Sequence, residues 1–133
     1  MSFRIEKKYE LMIAKLPQLY EFLKDNSVKE LYPNRLIKSI YFDNHVFSAY
    51  RESTEGVVPR KKIRIRNYPK TSEKFNLEIK INSTEGRFKT TENNINHIDI
   101  LKKGYHDCNY GLCYPVVEVL YFRKYLSVFD LRV

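Results

Sequence analysis

The stretch KKIRIRNY, residues 61–68, carries the pattern that decides the fold. Successive side chains of a β-strand point to opposite faces of the sheet, so Lys62, Arg64 and Arg66 share one face while the isoleucines between them share the other. One face of the strand is therefore cationic and the opposite face is apolar. The pattern predicts a strand that packs its isoleucines into a core and presents its cations to solvent or to an anionic ligand.

Composition limits the class of protein. The chain has 133 residues, of which 43% are hydrophobic and 14% aromatic, as expected for one folded domain rather than a disordered chain. Lys and Arg number 24 against 16 Asp and Glu, which gives a formal net charge of +8. A surplus of this size favours an anionic partner, such as a nucleic acid, a phosphorylated small molecule or a membrane surface.

The chain termini and the composition also bear on location. The opening MSFRIEKKYEL lacks the apolar run of a signal peptide, and no stretch approaches the ~18 apolar residues of a membrane span. These features predict a cytoplasmic protein. The high content of Lys, Asn, Ile and Tyr is typical of an AT-rich, bacterial genome.

Familiar catalytic motifs are missing from the sequence. No GxxxxGK[ST] loop, nucleophile elbow or HExxH is present, and the three histidines are scattered along the chain. Cys108 and Cys113 have four residues between them and no histidine at ligand spacing, so they are predicted to be free thiols.

Hydrophobic periodicity predicts mostly strands with a few short helices, in an α+β antiparallel arrangement. The alternating pattern marks residues 3–9 as the first strand. In the helix that follows, Pro17 is expected to be a kink or a boundary. The predicted strands are residues 3–9, 37–43, 61–68, 75–81, 87–91, 116–125 and 128–133, and the predicted helices are residues 12–24, 44–51 and 95–103.

Charges occupy alternate positions on several of these strands. An open sheet would leave such faces in solvent, which is the usual state of antiparallel sheets. A sheet closed into a barrel would instead point them inward and form a basic cavity suited to polyphosphate, because Arg presents a planar fork to phosphate oxygens. The positions concerned are Arg4, Glu6, Lys8, Lys62, Arg64, Arg66, Glu78, Lys80, Lys89, Arg123 and Arg132.

Two carboxylates lie among these cations. Glu6 and Glu78 suit Mg²⁺ or Mn²⁺, which prefer oxygen ligands and often bridge a carboxylate to substrate phosphates. Salt bridges to neighbouring Arg or Lys are the alternative role for both.

Five short motifs, in order along the chain, resemble the polyphosphate polymerase (VTC) domain of the CYTH-like triphosphate tunnel superfamily. They are RIEKKYEL, SIYFDN, RKKIRIRNY, LEIK and YFRKY. The resemblance implies an antiparallel β-barrel, the triphosphate tunnel, with short flanking helices. It also implies binding of ATP, polyphosphate or another triphosphate with Mn²⁺ or Mg²⁺, and transfer of the γ-phosphoryl group of ATP to a polyphosphate chain.

The same resemblance implies roles for individual residues. Arg64, Arg66 and Arg123 match arginines that clamp the substrate and serve as catalytic groups. Tyr41 and Asp43 match a motif that we interpret as structural. The predicted substrate-binding residues are Lys8, Lys62, Lys80, Lys89, Arg132 and Arg4, and the predicted metal ligands are Glu78 and Glu6.

The sequence departs from the family pattern after Arg132. In the family, further strands follow and carry a metal-binding glutamate and another lysine. We therefore expect residues 1–133 to be one tunnel domain that is truncated at its C-terminal end, or a barrel completed by self-association or by a second chain.

Three other functions are compatible with the sequence. A triphosphatase or cyclase-like relative would use the same tunnel with another nucleophile, and a non-catalytic polyphosphate or nucleotide sensor would bind without turnover. A nucleic-acid-binding module would explain the net charge and the many tyrosines. The interleaving of the cations with glutamates on strands argues against nucleic acid.

Overall fold

The computed structural model describes residues 5–133, which form two compact units. One unit comprises the described residues up to Asn34 together with Lys124–Val133, and the other is Arg35–Arg123. The helices are α1 (Leu16–Asp25), α2 (Ser48–Glu55) and α3 (His97–Lys103). The strands are β1 (Lys29–Asp43), β2 (Arg60–Tyr68), β3 (Ser72–Ser83), β4 (Gly86–Ile95), β5 (Tyr105–Asp107), β6 (Gly111–Val128) and β7 (Leu131–Arg132).

The strands form one sheet in the order β4-β3-β2-β1-β6-β5, with β7 paired to β6. The pairs β1–β2, β2–β3, β3–β4, β5–β6 and β6–β7 are antiparallel. Across residues 5–133 this order runs from β4 to β5 without closing into a ring. The predicted α+β class is therefore confirmed, and the sheet of the described residues is open.

The apolar face of β2 lies in the core of the Arg35–Arg123 unit. Ile63 and Ile65 are 1% and 0% exposed. Ile63 pairs across the sheet with Phe42 and Ile79, and Ile65 with Ile40 and Leu77, so apolar residues form continuous rows. Partly buried side chains of α3 pack against these rows. The core cluster consists of Ile40, Phe42, Ile63, Ile65, Phe75, Leu77 and Cys113.

Asp43 connects the end of β1 to α2. Its carboxylate is 3% exposed and accepts hydrogen bonds from the backbone N–H groups of Asn44 (2.8 Å), Ala49 (3.0 Å) and Tyr50 (3.0 Å). The Asn44 side chain accepts a further hydrogen bond from the N–H of Ser48 at 3.0 Å. The structural role predicted for Asp43 is confirmed, and this capping begins the helix at Ser48 rather than at the predicted residue 44.

The prediction of a strand at residues 3–9 is wrong for its described part. Residues 5–12 form no regular secondary structure, and Ile5 and Tyr9 are 91% and 82% exposed. A strand is stable only when a neighbouring strand pairs with its backbone, and the sheet of residues 5–133 provides none there. A single 3₁₀ turn at Ile13–Lys15 follows, and Pro17 lies in the first turn of α1, where it marks the predicted helix boundary.

Of the two C-terminal strands, β6 is longer than predicted and β7 is shorter. β6 begins at Gly111 and includes Pro115, whereas β7 contains only two residues. Phe129 and Asp130 connect them with φ angles of 50° and 60°, and Val128 pairs with Leu131. Two consecutive positive φ angles are typical of a tight hairpin turn.

The cysteine prediction is confirmed. Cys108 is exposed, Cys113 is buried, and both are free thiols. Burial raises the pKa of Cys113 to about 11, so its thiol stays protonated at neutral pH.

Candidate functional site

The candidate site is the cationic face of β2, which lies within the Arg35–Arg123 unit. Pairing across the sheet places Tyr41, Arg64 and Glu78 in one row. The next row contains Ser39, Arg66 and Asn76. Arg64 and Arg66 are only 6% and 9% exposed, so their charges are buried and are not on a solvated face.

Glu78 is the anionic centre of this face. Its Oε2 atom lies 2.7 Å from Nε and 2.6 Å from Nη2 of Arg64, while its Oε1 atom accepts a hydrogen bond of 2.8 Å from Nζ of Lys89. Nη1 of Arg66 lies 3.8 Å from the same Oε2 atom. One carboxylate therefore contacts three cations, as the salt-bridge alternative for Glu78 predicted.

The ionisation of Glu78 is favoured by these contacts. Burial by itself would raise its pKa, but the hydrogen bonds from Lys89 and Arg64 and the charges of Arg64 and Arg66 outweigh burial and lower the pKa below the ordinary glutamate value. Glu78 is therefore ionised at neutral pH, and its single negative charge is shared among several positive ones.

Arg66 and Arg123 share a tyrosine. The Arg66 side chain donates hydrogen bonds to Ser39 Oγ at 2.9 Å and to Tyr121 Oη at 3.3 Å. Arg123 donates to the same Tyr121 oxygen at 3.2 Å, and its guanidinium lies 5.3 Å from the centre of the Tyr121 ring. Tyr121 thus links Arg123, on β6, to the buried Arg66 on β2.

Three lysines form a row beside the arginines. Lys80 pairs in register with Lys62 on β2 and with Lys89 on β4. Partial burial lowers the pKa of Lys80, and the positive charges of Arg64 and Arg66 lower it further. Like charges in adjacent register positions repel, so this row favours binding of an anion that neutralises them.

The predicted site residues fall into two groups. The first group lies on the cationic face. Direct contacts join Arg64, Arg66, Glu78 and Lys89. Tyr121 links Arg123 to Arg66, and strand register places Lys62 opposite Lys80.

The remaining predictions lie in the other unit or outside the described residues. Lys8 and Glu6 form an exposed ion pair of 3.6 Å. Arg132 lies over the ring of Tyr32 at 5.9 Å. Arg4 lies outside residues 5–133.

Three residues of the site were not predicted as such. Tyr41 accepts a hydrogen bond of 3.0 Å from Nη1 of Arg64, so this residue, interpreted as structural, contacts the cationic cluster. Ser39 and Tyr121 orient Arg66 and Arg123. Ser39 and Tyr41 could have been placed on this face from their alternation with the core residue Ile40, but their arginine partners depend on strand register.

The protein groups available to a metal ion are few. Both oxygens of Glu78 already accept hydrogen bonds from cations, and the Asp43 carboxylate caps α2. Among residues 5–133 no three side chains of His, Cys, Asp and Glu are grouped as metal ligands would be. The side chains of residues 5–133 therefore do not fit a metal ion held by protein ligands alone.

The arrangement is chemically suited to a polyanion. Buried guanidinium groups and a row of lysines surround one carboxylate, so positive charge exceeds negative charge on this face. Guanidinium forks bind phosphate oxygens in pairs, and lysines add positive charge nearby. A ligand with several phosphates in a row would contact arginines and lysines of successive strands together.

Comparison with known proteins identifies the family. The family model described as "VTC domain" matches residues 3–128 of the 133-residue chain. No curated protein matches the chain. In the part of the chain that the structure describes, none of the helices combines the length and apolar character needed to cross a membrane. Because the family model covers residues 3–128, the chain belongs to the VTC domain family, which is related to polyphosphate.

Proposed function

We propose that this protein binds ATP and polyphosphate in the cytoplasm and transfers the γ-phosphoryl group of ATP to the end of a polyphosphate chain. The observation that carries the proposal is the burial of Arg64 and Arg66 around Glu78, with Lys62, Lys80 and Lys89 beside them. Buried cations in excess of their carboxylate partners are costly unless an anion compensates them.

In this proposal the protein acts by positioning and by neutralising charge. Arg64, Arg66 and Arg123 hold phosphate oxygens of the donor and of the acceptor chain, so that the terminal acceptor oxygen lies in line with the γ-phosphorus. The bond that forms joins this oxygen to the γ-phosphorus, and the bond that breaks releases ADP. Lys62, Lys80 and Lys89 stabilise the charge on the transferring group and on the leaving phosphate.

Mn²⁺ or Mg²⁺ belongs to the proposal as an ion bound with the phosphates. Such an ion, when bound, offsets phosphate charge. Because Glu78 is engaged by cations and Glu6 pairs with Lys8, we assign no step to a metal held by these carboxylates.

Product analysis tests the proposed reaction. The chain is incubated with ATP, a short polyphosphate primer and Mn²⁺, and products are separated by gel electrophoresis while ADP and phosphate are quantified. We expect polyphosphate to lengthen with one ADP released per phosphate added. Release of inorganic phosphate without lengthening would indicate a triphosphatase, and binding without ADP release would indicate a sensor.

Lys80 provides a pH test of the proposed ligand. Its lowered pKa means that Lys80 loses its proton at a lower pH than an ordinary lysine, and a bound polyanion then has one positive charge fewer to contact. We expect the affinity for tripolyphosphate to fall as the pH rises from about 7 towards the ordinary lysine pKa of about 10.4, and binding in this window to take up protons. Calorimetry in buffers of different ionisation enthalpy measures both effects.

Two substitutions make this pH test specific. Lys80→Arg keeps its charge throughout the window, so its affinity should change less with pH than that of the wild type. Lys74→Arg, at an exposed position of the same strand, is the matched control and should behave as the wild type. A pH profile of Lys80→Arg identical to that of the wild type would contradict a role for Lys80 in contacting the ligand.

A further inference from the structure

A second feature of the Arg35–Arg123 unit is an open cavity of about 770 Å³ beside α2. Tyr41, Phe47, Tyr50 and Val117 contribute aromatic and aliphatic surface to its lining. Phe47, Tyr50 and Val117 are 52%, 67% and 51% exposed, which is unusual for apolar side chains gathered in one place. Cavities of roughly 300–1,000 Å³ with apolar walls and few polar groups are typical of small-molecule sites.

The cavity shares two lining residues, Tyr41 and Lys62, with the cationic face. Tyr41 lines the cavity, and its hydroxyl accepts the hydrogen bond from Arg64. Lys62 also lines the cavity and precedes Arg64 by two residues on the same face of β2, a distance of about 7 Å at the usual rise of a strand. A ligand that occupies the cavity with one part can therefore reach the cationic face with another, first at Lys62.

The two regions differ in chemistry in a way that indicates the ligand. The cavity offers aromatic and aliphatic contact, with the cations Arg51 and Lys62 in its lining, whereas the adjoining face offers arginines and lysines. A nucleoside triphosphate has the matching parts: a flat, apolar base that stacks on aromatic rings and a chain of three phosphates. A polyphosphate chain has no apolar part and gains nothing from such a cavity.

We propose that this cavity binds the nucleoside of a nucleoside triphosphate, while its phosphates lie along the cationic face. The inference rests on the proposed function, because it assumes that the face binds phosphates. It adds a place where the protein distinguishes its nucleotide donor from the polyphosphate acceptor.

A pair of valine substitutions tests this inference. Val117→Trp fills the cavity from β6, whereas Val119→Trp places the same bulk two residues along the same strand, at a residue that is 39% exposed and outside the cavity lining. Calorimetry measures the affinity of the wild type and both variants for ATP and for tripolyphosphate at the same Mg²⁺ concentration. Circular dichroism confirms that each variant is folded.

The expected result separates the two ligands. Val117→Trp should lose about tenfold in affinity for ATP relative to the wild type, as expected when one base loses its stacking surface. Affinity for tripolyphosphate should stay unchanged in Val117→Trp, and Val119→Trp should match the wild type for both ligands. Saturation-transfer NMR should show contact to the base protons of ATP in the wild type and lose it in Val117→Trp.

Failure of the inference and failure of the proposed function give different results. If tripolyphosphate binds but Val117→Trp leaves ATP affinity and base contacts unchanged, the nucleoside site is overturned while the phosphate site stands. If tripolyphosphate does not bind the wild type, the proposed function fails, and the inference that rests on it fails with it.

Discussion

The double substitution Arg64→Ala/Arg66→Ala should lower the affinity for tripolyphosphate by at least about 100-fold. Both guanidinium groups are buried on the cationic face, where a hydrogen bond to a charged group contributes roughly 1.5–3 kcal/mol. Loss of two such contacts therefore corresponds to a decrease in affinity of about 100-fold or more. Isothermal titration calorimetry measures the change directly, with the wild type titrated under the same salt concentration because screening weakens charge contacts.

Two further variants make this result interpretable. Lys102→Ala/Lys103→Ala removes the same net charge from α3, the helix that packs on the apolar face of the sheet, and should leave affinity nearly unchanged. Arg64→Lys/Arg66→Lys keeps the charge and compensates Glu78, but it removes the paired geometry of the guanidinium forks. Its affinity should lie between those of the wild type and the alanine variant. Equal losses in the α3 variant and the alanine variant would show that net charge, not this site, governs binding.

The substitution Glu78→Gln should destabilise the fold by about 3 kcal/mol, because it leaves buried arginines without their counter-ion. Glu78 is 5% exposed and contacts Arg64, Arg66 and Lys89. Urea denaturation measures the free energy of unfolding of both proteins. Glu73→Gln, at an exposed position of the same strand, is the matched control and should change stability by less than about 0.5 kcal/mol.

The pH dependence of stability gives an independent measure of Glu78. Because its folded pKa is lowered, Glu78 stabilises the wild type fully above the ordinary glutamate pKa of about 4.3 and loses this effect as the pH falls through the lowered value. The stability difference between the wild type and Glu78→Gln should therefore shrink in acid. A difference that stays constant down to the lowest pH would contradict the role of Glu78 as a counter-ion.

Tripolyphosphate should in turn protect the Glu78→Gln variant from unfolding. In the wild type, Glu78 supplies one negative charge to a cluster with several positive charges, and a bound phosphate chain supplies more. The increase in stability on adding tripolyphosphate should be larger for Glu78→Gln than for the wild type. An unchanged increase would show that the ligand does not contact the cations that Glu78 compensates.

The sequence predicted the strands whose two faces differ most. In β2 and β3, cations or a carboxylate alternate with isoleucine, leucine and phenylalanine, so period-two alternation alone gave both strands and both faces. Alternation failed at residues 5–9, where the same pattern has no neighbouring strand to pair with. It also missed Lys29–Leu36, the first part of β1, whose side chains do not show a clean alternation.

The amino-acid sequence by itself determined the alternating charge, the basic surplus and the motifs of the VTC domain, because side-chain direction in a strand follows from position alone. Only the tertiary structure decided that Glu78 contacts Arg64, Arg66 and Lys89, that Tyr41 and Tyr121 contact the arginines, and that an apolar cavity adjoins them. These contacts depend on strand order and register, which arise from the packing of the whole unit. Burial of the two arginines likewise follows from their neighbours on β1, β3 and β6, and no pattern within β2 specifies it.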